Sequence, residues 1–232
     1  DGHRGLTLFL AEKPPMTSED EHDDHSFVYT QDAVGDRGPG RMDGSAIPTI
    51  GYRGMHSFSV ALEDWFVPDE NRIGEEGKGF AYIIDGMNAE RILIASECIG
   101  DARYFIEKAK HYACEREVFG RPIGQNQGIQ FPIARAHIQT EAAAAVLDQA
   151  ISRFENAQPC GSEANMAKLL ASEASWQASD TCIQTHGGFG FAREYDVERK
   201  FREARLYQVA PISTNLILSY VGEHILGMPR SF

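Results

Sequence analysis

The sequence predicts a mainly α-helical protein, an up-and-down bundle of the four-helix type that a partial β domain precedes. Three observations support this fold class. Residues 78–115, 126–156 and 162–185 repeat apolar side chains three and four positions apart, which places them on one face of a helix. Short turns join these segments, and short turns favour antiparallel packing. The strand-like stretches all lie before the glycine-rich junction at residues 74–79.

The strand-like part of the sequence predicts a first domain at residues 1–76 and leaves residues 77–232 to the helical domain. Residues 6–10 form a short apolar run between glycine and proline, and they predict a buried strand. Residues 58–68 alternate in polarity and end at a proline, which predicts a second strand. Because few other strands are evident, the first domain is expected to be only part of a β structure.

Residues 17–45 are polar and acidic with scattered glycines, and they predict a long exposed loop with a short strand possible at residues 27–29. His22 and His25 lie in its most acidic part and were considered as metal ligands. A solvated run of charges is the more common structure for such a sequence. We therefore expect no metal site, and the loop has no explanation beyond its solvation.

The helical part of the sequence begins with its longest segment, residues 78–115. The second segment contains the run Ala142–Ala145, whose small side chains allow another helix to approach closely. The third segment begins near Ser162, a favourable N-terminal cap, and ends at a histidine followed by two glycines. Two shorter helices are predicted near residues 196–209 and 213–226.

The net charge of the chain is −12, from 22 basic and 34 acidic side chains. This excess of acidic residues argues against a nucleic-acid-binding protein, which normally presents a basic face. Apolar runs are short and interrupted by charge, so no membrane span is expected. The four cysteines are far apart and lack metal-binding spacing. Reduced thiols and a reducing compartment are therefore expected, either the cytoplasm or, in a eukaryote, the mitochondrial matrix.

A charged pair, Glu90 and Arg91, interrupts the apolar face of the first helical segment. In a straight helix Glu90 is in line with Met87 and Ile94, so its carboxylate is expected over apolar neighbours. A carboxylate in such surroundings binds protons more tightly than in water and suits a proton-abstracting base. A solvated or arginine-paired glutamate at the edge of the face explains the same pattern, since ion-pair networks are common.

Four short motifs lie at the glycine-rich junction and at the ends of the predicted helices. They are Val67-Pro68-x-x-Asn71-x-x-Gly74-Glu75-x-Gly77-Lys78-Gly79, Arg116-x-x-Phe119-Gly120-x-Pro122-Ile123-x-x-x-Gln127, Gln184-x-His186-Gly187-Gly188-x-Gly190-Phe191-x-x-Glu194-Tyr195-x-x-Glu198-Arg199 and Leu226-Gly227-Met228-Pro229-Arg230-Ser231. Their order and spacing resemble the acyl-CoA dehydrogenase family over residues 6–232. The resemblance implies the C-terminal helical bundle of that family after the last part of its middle β domain, without the N-terminal helical domain and the early strands that hold the flavin.

The physical properties of these motifs suit a flavin dinucleotide, and the resemblance implies that this cofactor is FAD. Arg116 carries a permanently charged fork that matches a pyrophosphate. Phe119 offers an apolar surface to a ring, and glycines let backbone approach a ligand. A surface arginine, a core phenylalanine and helix-capping glycines are the alternatives. By resemblance, the cofactor candidates are Arg116, Phe119, Gln127, Gln184, Gly187, Gly188, Ser213 and Asn215.

The resemblance also bears on the catalytic base. Many members of the family carry a glutamate three residues beyond a Tyr-Gln pair, and this chain has Pro211 there, after Tyr207-Gln208. A smaller set, which includes isovaleryl-CoA and long-chain dehydrogenases, carries the glutamate on the long helix just before an arginine. Glu90 matches that position. Arg91 becomes a candidate for substrate binding or for positioning Glu90, with a structural salt bridge as the alternative.

The activity that the resemblance implies is FAD-dependent α,β-dehydrogenation of an acyl-CoA thioester to a trans-2-enoyl-CoA. Glu90 removes the α-proton while the β-hydride passes to the flavin, and an electron-transfer flavoprotein accepts the electrons. In the family, the arginine and the phenylalanine of the second motif reach the FAD of a neighbouring subunit. This arrangement implies a homodimer or a homotetramer.

Two other functions stay open at this point. A flavin oxidase or monooxygenase on the same scaffold would consume oxygen during turnover. A non-catalytic or truncated helical subunit is the other alternative, because the strands that hold the flavin ring in the family are absent from this sequence. We expect the chain to bind FAD poorly without them.

Overall fold

The computed structural model describes residues 5–14 and 26–231 of the chain. The most acidic part of the predicted loop lies outside these ranges. The chain divides into two compact units, residues 1–85 and 86–232, and the division falls within the first long helix. Each unit has its own arrangement of strands or helices.

Antiparallel strands build the first unit. They are β1 (Leu8–Phe9), β2 (Phe27–Gln31), β3 (Gly40–Ile47), β4 (Ser57–Glu63) and β5 (Arg72–Ile73). β1 pairs with β5, and the other three form a sheet in the order β2–β3–β4. Phe27, Tyr29 and Met42 are buried together in this sheet. A Cβ on Gly44 would lie only 2.1 Å from the Phe27 ring, so the ring occupies the space that a side chain would take.

Strand β3 corrects the prediction that residues 17–45 form an exposed loop, because the strand begins at Gly40. Its buried positions in that range are Gly40, Met42 and Gly44. Two of these three carry no side chain, so apolar alternation could not reveal the strand. The short strand considered at residues 27–29 is present as the beginning of β2.

The predicted strand at residues 6–10 is wrong in length and in burial. Only the two residues of β1 are in a strand, and Leu6 and Leu10 are 51% and 60% exposed. The predicted strand at residues 58–68 forms only as β4. It ends there because Asp64 adopts a φ of 49°, which lies outside the extended region.

Five helices follow, and they confirm the prediction of a mainly α-helical fold. They are α1 (Gly79–Glu115), α2 (Gln127–Glu155), α3 (Gly161–His186), α4 (Val197–Ala204) and α5 (Thr214–Tyr220). The last helix continues as a π-helix at Val221–Ile225. Between the first two helices, β6 (Glu117–Val118) and β7 (Arg121–Pro122) form a hairpin.

Helix α3 of the second unit has buried positions along its whole length. Its buried positions are mostly alanine and serine, at Ala164, Ala167, Ala171, Ser172, Ala174, Ser175, Ala178 and Ser179. The helix packs against α2. Small side chains allow this close approach of two helix axes. Lys168 differs from these small residues, since its long side chain is fully buried in the same helix.

Within residues 5–14 and 26–231, no helix combines the length and the apolar character that a membrane crossing requires. The same described residues contain no group of His, Cys, Asp or Glu that could hold a metal ion. His22 and His25 lie outside them. All four cysteines lie within the described residues and none of them is in a disulfide; Cys114 is exposed while the other three are buried.

Candidate functional site

The hairpin after α1 positions Arg116. The amide of Arg116 donates to the carbonyl of Tyr112 at 2.9 Å, and its carbonyl accepts from the amide of Ile123 at the same distance. Phe119 and Gly120 form the tip, with φ values of 55° and 76°. Two positive φ values are typical of the type I′ turn that joins two-residue hairpins. Arg116 is thereby fixed directly beyond the C-terminus of α1.

The end of α3 exposes bare backbone. Gly187 stops the helix at a φ of 57°, which a side chain would strain, and its amide donates to the carbonyl of Gln184. Gly190 allows a close approach, because a Cβ there would lie 2.6 Å from the carbonyl oxygen of Ile183. A Cβ on Gly187 or Gly188 would meet no atom within 4 Å, so both face open space.

A cleft of about 570 Å³ brings the hairpin and the end of α3 together. Its lining residues are Tyr112, Arg116, Val118, Ile123, Thr185, His186, Gly187, Gly188, Phe189 and Ala192. The guanidinium of Arg116 lies 5.8 Å from the centre of the Phe189 ring, which supports it by a cation–π contact. The cleft therefore combines one permanently charged side chain, apolar walls and glycine backbone that no side chain covers.

His186 forms the inner wall of the cleft as a neutral ring. Its Nδ1 lies 2.8 Å from the carbonyl oxygen of Cys182, and a carbonyl only accepts, so Nδ1 carries the proton. The ring stacks on Tyr112 with 4.3 Å between centres, and Tyr195 packs edge-on against it. Burial lowers the pKa of His186 and raises the pKa of the Cys182 thiol to about 12. Both groups are therefore uncharged near neutral pH.

Three predicted cofactor residues, Arg116, Gly187 and Gly188, lie in this cleft. Phe119 does not, because it is 100% exposed at the tip of the hairpin. Gln127 is the exposed first residue of α2, outside the lining. Their roles therefore stay predictions.

The other predicted cofactor residues lie elsewhere in the described structure. Gln184 is exposed one turn before the end of α3, outside the cleft lining. Ser213 caps α5, since its hydroxyl oxygen accepts from the amide of Leu216 at 3.4 Å. Asn215 is exposed in the first turn of that helix. A role in cofactor binding stays a prediction for each of these residues.

The sequence analysis missed the aromatic walls of the cleft, Tyr112, His186 and Phe189. Tyr112 lies one helical turn before Arg116, so the i, i+4 spacing on α1 was the available signal. His186 and Phe189 flank the two glycines of the quoted motif. Only the packing of α1 against the end of α3 shows that Tyr112 meets His186, while Phe189 packs against Tyr195.

The structure contradicts the expected burial of Glu90 among apolar neighbours, because its side chain is exposed. Met87 and Ile94 are only half buried. The buried face of this part of α1 instead contains Arg91 and Ala95, and it continues through Cys98 and Phe105. Successive helical residues are about 100° apart, so a face centred on Arg91 turns Glu90 to its edge.

Arg91 is the buried member of the charged pair, with 4% of its surface exposed. Its Nη1 donates to Oδ1 of Asn88 at 2.9 Å, whereas its Nε has no partner among the described residues. Burial lowers the pKa of Arg91, and the nearby Tyr220 and Glu90 oppose this effect. The hydrogen-bond partner that the described residues give Arg91 is therefore a neutral amide and not a carboxylate.

The bundle and its cleft define a helical domain suited to an anionic ligand that carries a ring. A family model described as acyl-CoA dehydrogenase, C-terminal domain, matches residues 77–226. The chain is 37% identical over 177 residues to the acyl-CoA dehydrogenase FadE12 of Mycobacterium tuberculosis, a match that covers 75% of this chain and 46% of the relative.

Solved structures have the same fold. Butyryl-CoA dehydrogenase from Megasphaera elsdenii matches with a TM-score of 0.76 at 24% identity, over 89% of this chain and 62% of that one. The prolyl acyl carrier protein oxidase AnaB matches with a TM-score of 0.76 at 26% identity, over 88% of this chain and 57% of that one. The chain belongs to the acyl-CoA dehydrogenase family. It spans about half the length of the curated relatives it matches.

Proposed function

We propose that this chain is the C-terminal part of an acyl-CoA dehydrogenase that uses FAD to convert an acyl-CoA thioester into a trans-2-enoyl-CoA. Family membership supports this proposal. The structural observation that carries it is the cleft in which Arg116, Gly187 and Gly188 meet. We also propose residues 1–76 as part of the middle β domain and residues 77–232 as the C-terminal domain.

The cleft residues fit a flavin dinucleotide by their chemistry. Arg116 has a free, permanently charged fork for the two negative charges of a pyrophosphate. Tyr112 and Phe189 offer flat apolar surfaces to a ring, and the side-chain-free Gly187 and Gly188 let a ligand reach the backbone. FAD, when bound, supplies the hydride-accepting chemistry that no amino-acid side chain provides.

Glu90 is proposed as the base that removes the α-proton of the thioester. Its exposed carboxylate is accessible in this chain, and the buried guanidinium of Arg91 follows it directly. A general base must first be able to reach the proton that it removes, and an exposed carboxylate meets this requirement. Asn88 holds that guanidinium through Nη1, so the charge has a defined position.

The proposed partners follow from the same activity. The substrate is an acyl-CoA thioester, and an electron-transfer flavoprotein would receive the electrons. A homodimer or homotetramer is proposed, supported by the fully exposed ring of Phe119, which extends from the tip of the hairpin. A large exposed aromatic ring is typical of a protein interface.

Replacement of the base tests this function. We expect Glu90→Gln to retain FAD and to lose the bleaching of the flavin by acyl-CoA, measured by absorbance with straight-chain, branched and cyclic thioesters. Glu107→Gln is the matched control, because Glu107 is an exposed carboxylate on the same helix and forms an ion pair with Lys110. Undiminished bleaching by Glu90→Gln would reject Glu90 as the base.

A flavin-dependent oxidase is the second candidate, because the chain shares its fold with the oxidase AnaB. The two functions differ in the fate of the electrons. A dehydrogenase requires an added electron acceptor to turn over, whereas an oxidase consumes oxygen. Oxygen uptake with acyl-CoA and no other acceptor would favour the oxidase.

A further inference from the structure

Lys168 is a fully buried cation on α3, with none of its surface exposed. Within the described residues it forms no salt bridge. Its ammonium instead donates to the backbone carbonyls of Tyr207 and Ile212, at 2.6 and 2.8 Å. A buried charge is costly unless hydrogen bonds replace its water, so these two carbonyls compensate for its burial.

The two carbonyls belong to opposite ends of one connecting segment, residues 207–212, which begins inside the short 3-10 helix Leu206–Gln208 and leads towards α5. Backbone carbonyls withdrawn from water need a hydrogen-bond partner, and Lys168 provides one at each end of this segment. Because both point at the same nitrogen atom, the segment must curve around Lys168. The backbone that carries Lys168 is rigid, because Lys168 lies in the middle of the buried helix α3.

Other bonds fix the same segment to the bundle. The side-chain amide of Gln208 donates to the carbonyl of Ser172 at 2.8 Å, one turn along α3 from Lys168. The hydroxyl of Thr214 donates to the carbonyl of Gln208 at 3.4 Å. These contacts hold the middle of the segment, while Lys168 holds its two ends.

We propose that Lys168 is a positioning residue that fixes residues 207–215 in the conformation needed for cofactor binding. The segment leads directly into Ser213 and Asn215, two of the predicted contacts to FAD, and contains Pro211 at the place of the base in other family members. This inference rests on the proposed function. Lys168 contacts no ligand itself and acts only through the segment.

A lysine is suited to this task because its ammonium is a compact donor on a flexible stem. It carries three hydrogens, so two can point at carbonyls in different directions. Burial lowers the pKa of Lys168. A neutral amine would still have two hydrogens for the same two carbonyls, so the attachment does not depend on the charge.

Lys168→Met tests the proposal, because methionine retains most of the volume and removes every donor. Leu147→Ala is the control for lost stability, since Leu147 is a buried residue of α2. Two quantities are compared in the protein that carries this chain. The first is hydrogen exchange at the amides of residues 207–216 without ligand, and the second is the dissociation constant for FAD.

We expect Lys168→Met to accelerate exchange in this segment and to weaken FAD binding by about tenfold or more, the size of effect that a lost buried hydrogen bond produces. Leu147→Ala should change neither quantity at this place, even when it lowers the overall stability as much. If Lys168→Met does not fold, Lys168→Gln retains two N–H donors on a shorter stem and should give a smaller loss in the same direction.

Two results would overturn the inference. Unchanged exchange at residues 207–216 in the Lys168 variants would show that the segment does not depend on this residue. Faster exchange with unchanged FAD affinity would show that Lys168 is structural only. If the wild-type protein binds no FAD, the proposed function itself is overturned. FAD binding by the wild type is therefore measured before any variants are compared.

Discussion

The hydroxyl of Tyr207 donates a hydrogen bond to the carboxylate of Asp101, and 2.6 Å separate the two oxygens. Both residues are buried. The second carboxylate oxygen of Asp101 lies 2.8 Å from the ammonium of Lys200 on α4. Asp101 therefore joins α1, α4 and the turn after α4 through one charged group.

Removal of the Tyr207 hydroxyl is expected to destabilise the bundle. Tyr207→Phe should lower the free energy of unfolding by about 1–3 kcal/mol, because Asp101 stays buried and loses a donor. Urea denaturation measures this change. Tyr195→Phe is the control, since the ring contacts of Tyr195 do not need its hydroxyl, and a change within about 0.5 kcal/mol is expected. A Tyr207→Phe effect no larger than that of the control would contradict the assignment.

Arg116 is expected to hold the pyrophosphate of FAD. Arg116→Gln should weaken FAD binding about 10- to 100-fold, since a charge-assisted contact contributes about 1.5–3 kcal/mol. The FAD affinity of Arg116→Lys should lie between those of the wild type and Arg116→Gln, because lysine retains the charge without the forked guanidinium. Titration of the apoprotein with FAD, followed by flavin fluorescence, measures the affinity.

The control for this series is Arg103→Gln. Arg103 is an exposed arginine on α1, the helix that ends just before Arg116, and it contacts Glu141 outside the cleft. Its replacement should leave FAD affinity unchanged. Equal affinity in the Arg103 and Arg116 variants would show that general surface charge, rather than the cleft, attracts the cofactor.

Acid is expected to destabilise the fold through His186. Burial holds the pKa of His186 below its usual value of 6.5, although the bond to Cys182 opposes this effect. Between the lowered value and 6.5, the unfolded chain binds more protons than the folded chain. The stability that neutral His186 contributes is therefore complete above the usual pKa and is lost as the pH falls through this window.

His186→Phe removes this dependence and preserves an aromatic ring against Tyr112. Urea unfolding between about pH 7.5 and about pH 5 should show a smaller loss of stability in this variant than in the wild type. The control is His137→Gln, because His137 is exposed on α2. A His186→Phe variant that loses stability as steeply as the wild type would contradict the prediction.

We expect Phe119, at the tip of the hairpin, to lower the stability of the fold while it supports FAD binding. Phe119 has a φ of 55°, a conformation that asparagine adopts with less strain than phenylalanine. Phe119→Asn should therefore raise the free energy of unfolding by up to about 1 kcal/mol and should lower the flavin content of the purified oligomer. Denaturation and the ratio of flavin to protein absorbance measure the two effects.

Phe191→Asn provides the comparison for the hairpin. Phe191 is 93% exposed near the end of α3 and does not have a positive φ. Its replacement should give no gain in stability. If both variants gain stability, the cause is the removal of an exposed ring and not the relief of strain in the turn.

Helix periodicity predicted the long helices because each buries an apolar stripe. The predicted segment 78–115 appears as α1 at Gly79–Glu115. The same reasoning failed for β3, where Gly40 and Gly44 occupy buried positions without apolar side chains. Gly44 leaves room for the Phe27 ring but gives no hydrophobic signal in its own strand, because that ring lies on another strand.

The candidate site was predictable only where one residue type carries the chemistry. Arg116 and Gly187 could be selected from sequence because a fixed fork and a bare backbone have specific uses. The aromatic wall at Tyr112 depends on tertiary packing. The predicted burial of Glu90 is wrong and the neighbouring Arg91 is buried, because a shift of one residue rotates a helical face by about 100°.

The buried face of helix α3 is mostly alanine and serine, which lose little conformational freedom when they are buried. Such small side chains let neighbouring elements pack close to the backbone of α3. Gly187 lies at the C-terminal end of this helix, and Lys168 bonds the 207–212 turn from its middle. Any displacement of α3 would therefore move one wall of the cleft and that turn together.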